Sequence, residues 1–308
     1  MNVSECDVQL CSGNYKQCNY VPWEITLIFF NCVSAFVNCV HLIILSNIRS
    51  LRGKAYLVVL QHIAVADIVA SIASCLRIAC TIHNKATESR GFSAFISMID
   101  FTLIVRYYIL AAACTERAKA LSNALRYDSS PLVSHMSMWL ALIWVFCALV
   151  AVIRDVLFYD RLCVNRVTGP GNLNELEPSL MTAVEIIIPS VVTIVSLCKV
   201  AYEMTKMSGR STNIQEQEIF AAAKYVKIIT AVFFLCFIPT LMVFIGLYAG
   251  FFSAHFTSLA VFGHSIYGIL NTAIYGWMTK PYRKQFRNLV SCCFIKKKDS
   301  AAQGALRS

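Results

Sequence analysis

The sequence predicts an all-α membrane protein, a seven-transmembrane helix bundle with a short amphipathic eighth helix. Three observations predict it. Hydrophobic residues make up 57% of the 308 and charged ones 14%, far from the mix of a soluble domain. The apolar residues gather into seven runs, near 23–46, 56–80, 94–116, 136–158, 179–203, 225–249 and 255–279. At about 1.5 Å per helical residue, such runs cross a hydrocarbon layer of about 30 Å. Most of the 27 Lys and Arg residues lie in the 46–55, 117–132 and 204–227 connections and beyond Thr279, against Lys16, Lys85, Arg90, Arg161 and Arg166 on the opposite side. The positive-inside rule then sets the N-terminus outside and the C-terminus in the cytoplasm of a multi-pass plasma-membrane protein.

Residues 1–22 read as an extracellular N-terminal segment. They are polar and cysteine-rich and lack the basic start and apolar core of a cleaved signal peptide, so the first span serves as its own insertion signal. Asn2-Val3-Ser4 is a glycosylation sequon, which makes Asn2 the expected acceptor. Residues 23–279 form one membrane domain, because its connections are too short for a soluble domain. Residues 280–291 read as an amphipathic juxtamembrane helix and 292–308 as a cytoplasmic tail. The net charge of +10 is a matter of topology and implies no nucleic-acid partner. Cys6, Cys11, Cys18 and Cys163 face the oxidising side, with Cys80 close to it, so disulfides belong there. Cys32, Cys39, Cys75, Cys114, Cys147, Cys198 and Cys236 lie within spans and read as small apolar fillers. No cysteine or histidine spacing suits a metal, and neither a metal nor another cofactor is expected.

Polar residues inside the spans are costly in lipid and mark function. Asn38 sits midway along the first span, and Asp67 ends Ile63-Ala64-Val65-Ala66-Asp67 in the second. The third run closes on Thr115-Glu116-Arg117, the fourth carries Trp144 and the fifth Pro189. The sixth holds Phe233-Phe234-Leu235-Cys236-Phe237-Ile238-Pro239, and the seventh Asn271-Thr272-Ala273-Ile274-Tyr275. This set, one signature per helix and in order, resembles the rhodopsin-like (class A) G-protein-coupled receptors over roughly residues 25–293. The second-span pentapeptide matches LAxAD and Glu116-Arg117 the acidic-Arg pair of DRY. Phe233, Cys236, Phe237 and Pro239 fit FxxCWxP with Phe for Trp, while Asn271 and Tyr275 fit NPxxY with Thr272 for Pro. The departures suit a divergent, orphan or chemosensory member.

That resemblance implies a receptor that binds an extracellular ligand in the outer half of the bundle and activates a heterotrimeric G protein. Its switch would comprise Asp67, Arg106, Glu116, Arg117, Phe233, Phe237, Asn271 and Tyr275. Arg106 stands where the family usually has a small polar residue beside the sodium-binding aspartate, so it should pair with Asp67 in place of the ion. It lies three turns before Arg117 on the same helix face. Arg77, Asp100, Arg154, Asp155, Glu185 and His264 are the outer-half ionisable residues; Arg77, Asp100, Glu185 and His264 are the chosen ligand candidates, for a polar ligand of unknown class. Phe92 occupies the usual third-helix cysteine position, which leaves Cys163 to pair with Cys80 or an N-terminal cysteine, Cys80 being nearer. Residues 280–290 would lie on anionic inner-leaflet lipid, followed by Cys292 and Cys293 as palmitoylation sites.

Other classes fare worse. No nucleophile-base pairing, HExxH or phosphate loop suggests an enzyme, and residues 255–279 contain no lysine for a retinal Schiff base. The remaining rival is a seven-helix chemosensory channel or G-protein-independent receptor, which would show inverted topology or a polar pore stripe.

Overall fold

The computed structural model describes residues 21–48, 54–82, 90–122, 131–168, 183–208, 214–249, 254–289 and 291. Among them the regular structure is helical throughout. The long helices are α1 (Val21–Asn47), α2 (Ala55–Ile82), α3 (Arg90–Ser122), α4 (Met136–Thr168), α5 (Ile188–Ser208), α6 (Ile214–Ala249) and α7 (Ala254–Met278). A helical turn, Pro131–Ser134, precedes α4, and residues 280–289 form the short helix α8 after α7. The chain is a seven-helix membrane bundle.

Proline placement explains the irregular points. Pro189 has no N–H for the carbonyl four residues back, at Glu185, and the turn there, Ala183–Ile187, takes the wider π form. Pro281 sits in the first turn of α8, where its missing N–H costs nothing. Pro239 is accommodated inside α6. By contrast α7, with Thr272 where a proline was the family expectation, runs unbroken, as the restored N–H predicts.

Several helices outrun their apolar stretches. α6 begins at Ile214 rather than 225, and α4 continues to Thr168 rather than 158. Hydropathy marks where lipid ends, whereas the backbone ladder continues into polar surroundings. Among the described residues six helices carry windows long and apolar enough to cross a membrane. α7 is not among them because it spends inward positions on His264, Ser265, Asn271 and Thr272, all buried.

The bundle closes as a ring: α1 packs on α2 and α7, and α6 on α7, while α3 runs through the middle against α2, α4, α5 and α6. Leu103, Ile104, Val105, Ile109 and Leu110 of α3 join Ile44, Leu45, Leu140, Ile229 and Phe233 in the main core. Outward faces are apolar too: Phe29, Phe36, Val145, Leu149, Val195 and Leu235 are exposed. A surface this greasy suits lipid. The α6–α7 seam is close enough that a Cβ on Gly263 would collide with the Cys236 carbonyl oxygen.

Candidate functional site

Charge first appears in the core at Asp67 of α2 and Arg106 of α3. The Arg106 Nη2 lies 2.7 Å from Asp67 Oδ1, with the side chains 2% and 0% exposed. It is a contact of opposite charges rather than an aligned hydrogen bond. Either charge alone would be very costly there, so the helices that carry them are held together by the need to keep the pair. The pairing expected from sequence is made.

Around it α1, α2 and α7 share a polar network. Asn38 Nδ2 donates to the carbonyls of Ser34 (2.9 Å) and Gly268 (3.2 Å), and Thr272 Oγ1 donates to Asn38 Oδ1 at 3.3 Å. Ser71 Oγ donates to Ser34 Oγ at 3.1 Å. Gly268 makes this approach feasible: a Cβ there would lie 2.6 Å from Ser34 Oγ and 3.4 Å from Asp67 Cγ. Thr272 therefore does more than remove a proline, because its hydroxyl ties α7 to α1.

Three turns along α3, the Arg117 guanidinium donates through Nε and Nη2 to its neighbour Glu116, both residues being buried. The guanidinium also lies over the Tyr56 ring of α2, 5.4 Å from its centroid, a cation–π arrangement. Beside it a small cavity opens between α2, α3 and α6, lined by Tyr56, Leu60, Leu110, Glu116, Tyr225 and Ile229 among others. Tyr225 of α6 donates its hydroxyl to Asn271 Oδ1 of α7. Its ring stands edge-on to Tyr275, with centroids 5.1 Å apart. Tyr275 in turn meets Tyr282 of α8 at 5.3 Å, and the Tyr282 hydroxyl is hydrogen-bonded to His41 Nδ1 of α1 at 3.0 Å. Asn271 and Tyr275, expected from sequence to belong to the switch, thus sit in a chain of contacts, here called the relay, that reaches from α6 to α8.

On the other side of Arg106 is an aromatic cluster. Phe233 and Phe237, one turn apart on α6, have centroids 4.1 Å apart. Tyr107 of α3 meets Phe233 edge-on at 4.9 Å, and Tyr267 of α7 does so at 5.2 Å. Edge-on geometry sets positive ring edges against negative faces. His264 stacks on Phe237 at 4.5 Å, and its Nε2 is 3.2 Å from Thr240 Oγ1.

The four expected ligand residues are distributed over different elements. Arg77 is half-buried on α2 and has Glu24 of α1 as an electrostatic neighbour. Asp100 is half-buried on α3. Glu185 is buried in the π turn, which the Tyr108 hydroxyl anchors by donating to the Val184 carbonyl at 2.7 Å. His264 is buried beside the aromatic cluster, deeper than a rim residue. Cys80, near the end of α2, carries a free thiol, and the side chain of Cys163, its expected partner, is outside the described residues. The side chains of Arg154 and Asp155 also lie outside the described residues, as do Asn2, Cys292 and Cys293 altogether.

Sequence reasoning passed over His41, Tyr107, Tyr225, Tyr267 and Tyr282. His41 had a signal, being an ionisable group within an apolar run. Tyr275 and Tyr282 had another, seven residues and so about two turns apart.

Residues 178–292 match a family model described as serpentine type 7TM GPCR chemoreceptor Srh. Comparison with the curated proteins found no match.

Proposed function

We propose, from the premise that this chain is a divergent receptor of the G-protein-coupled type, that it senses an extracellular chemical cue and passes the signal to a heterotrimeric G protein. The matched family is one of chemoreceptors rather than enzymes, which favours a small environmental ligand. The ligand would enter the outer half of the bundle, with the N-terminus outside and α8 at the cytoplasmic face. Arg77, Asp100, Glu185 and His264 are its proposed contacts, and their mixed charge suits a polar molecule.

The observation that carries this reading is the buried Glu116–Arg117 pair beside the cavity between α2, α3 and α6. In the resting packing Glu116 and the Tyr56 ring hold the guanidinium. A ligand with higher affinity for a second packing would shift Phe233 and Phe237 against Tyr107 and Tyr267, and can move the balance only by that difference in affinity. An outward swing of α6 would part Tyr225 from Asn271 and widen the cavity, and Arg117 would then meet the G protein. Two-state ion pairs of this kind are common switching devices.

The test is nucleotide exchange by G proteins reconstituted with the receptor. Arg117→Ala is expected to abolish receptor-dependent exchange while the purified variant keeps its helical content, with a lowered melting temperature because Glu116 is left buried without its cation. Normal exchange by that variant would refute the assignment of the switch, and a ligand-gated ion current in G-protein-free membranes would favour the channel reading.

A further inference from the structure

Two thiols from neighbouring helices face one another in the bundle wall. Cys32 Sγ of α1 and Cys75 Sγ of α2 are 3.7 Å apart, so the sulfurs are in van der Waals contact. They are unlike in setting, because Cys32 is exposed on the lipid side and Cys75 is partly covered, with its Sγ 3.8 Å from the Ile28 carbonyl. From sequence each is a small apolar filler. Filling does not require two sulfurs in register across a helix pair, and the other exposed span cysteines, Cys39 and Cys198, have no sulfur contact among the described residues.

We infer that Cys32 and Cys75 form an oxidisable dithiol, a modification site at which a membrane-soluble organic hydroperoxide closes a disulfide between α1 and α2. The exposed Cys32 sulfur attacks the peroxide oxygen. The O–O bond breaks, the displaced alkoxide takes the Cys32 proton and leaves as the alcohol, and Cys32 becomes a sulfenic acid. Cys75 then attacks the Cys32 sulfur; the S–S bond forms as the S–O bond breaks, and the hydroxyl leaves as water with the Cys75 proton. Two thiols have lost two protons and two electrons, and the hydroperoxide has gained them. The sulfurs need only close from contact distance to the bonded distance of about 2.05 Å. Further oxidation of the sulfenic acid is pre-empted, since its resolving thiol is already alongside.

The site has a defined neighbourhood. Ser34 is two residues beyond Cys32 and Ser71 is one turn before Cys75, and their hydroxyls are hydrogen-bonded at 3.1 Å. Closing the bond pins α1 to α2 about two turns from Asn38 and Asp67, whichever ligand the receptor takes.

The experiment uses the full chain in lipid nanodiscs exposed to cumene hydroperoxide, then alkylated, digested without reductant and analysed by mass spectrometry. A peptide pair joined through Cys32 and Cys75, two hydrogens lighter than its parts, should appear and should vanish on dithiothreitol. Alkylation of both cysteines should be lost together, while Cys39, exposed on the same helix, stays alkylatable. In a Cys75→Ser chain Cys32 should instead accumulate as sulfenic acid, trapped by dimedone, with no joined peptide. The inference fails if both thiols of the wild-type chain remain alkylatable, if Cys32 proceeds to sulfinic acid without a bridge, or if it joins other cysteines as often as Cys75.

Discussion

Arg106 and Arg117 lie three turns apart on α3, are equally buried, and each meets a carboxylate, yet the partners differ in kind. Arg106 reaches across to Asp67 on α2, so separating the charges requires moving one helix against another. Arg117 meets Glu116, the preceding residue of its own helix, and a change of side-chain rotamer suffices to part them. The first pair is suited to fixing the register of α2 and α3. The second is suited to changing hands without disturbing that register. One helix thereby carries two kinds of ion pair, one that spans an interface and one that does not; in the proposed function the first is the anchor and the second the release.

The comparison is broken most severely at the anchor. Arg106→Met leaves Asp67 buried without its cation and should cost about 3–5 kcal/mol of stability, read as a large fall in the melting temperature of the purified receptor. Adding Asp67→Asn to that variant should recover much of the loss; a double variant no better than the single would mean that Arg106 acts by packing rather than charge. Next is the seam between α6 and α7. Gly263→Ala places a methyl against the Cys236 carbonyl and, because backbone cannot rotate away, should cost up to about 3 kcal/mol, with α6 and α7 forced apart. Unchanged stability in that variant would show that α6 and α7 can part to admit the methyl at no cost.

Tyr225→Phe is a gentler probe. It removes the hydroxyl that binds Asn271 while keeping the ring against Tyr275, at an expected cost of about 1 kcal/mol. If the relay helps hold the resting packing, basal nucleotide exchange should rise in this variant. The smallest effect expected is none at all: replacing choline chloride with sodium chloride should leave the wild-type melting temperature unchanged, since Arg106 already neutralises Asp67. A sodium-dependent rise would contradict that role.

The bundle was legible because lipid imposes a simple constraint, that long apolar runs must be helices which satisfy their own backbone. The Asp67–Arg106 pair was legible for a related reason. Two opposite charges stranded in adjacent spans have few other ways to be tolerated. The Tyr225–Asn271–Tyr275–Tyr282–His41 relay was not. Tyrosines are compatible with an apolar run, and their hydroxyl partners depend on helix rotation, which hydropathy does not report. Tyr225 also fell at the assigned edge of the sixth run, whereas α6 begins three turns earlier, which moves it from a boundary into the body of the helix. The sulfur contact between Cys32 and Cys75 was hidden for the same reason, since each looks ordinary along its own helix and only the α1–α2 pairing joins them.

The unbroken α7 bears on how motion can travel. A helix with a proline joint can swing its lower half while the upper half stays put. With its backbone ladder complete and Thr272 clasped to Asn38, α7 behaves as a stiff lever, so displacement at the His264 end arrives at Tyr275 as tilt or axial rotation of the whole rod. Its fulcrum is the Gly268 contact with α1, and the leverage available to a bound molecule is set by where along that rod it presses.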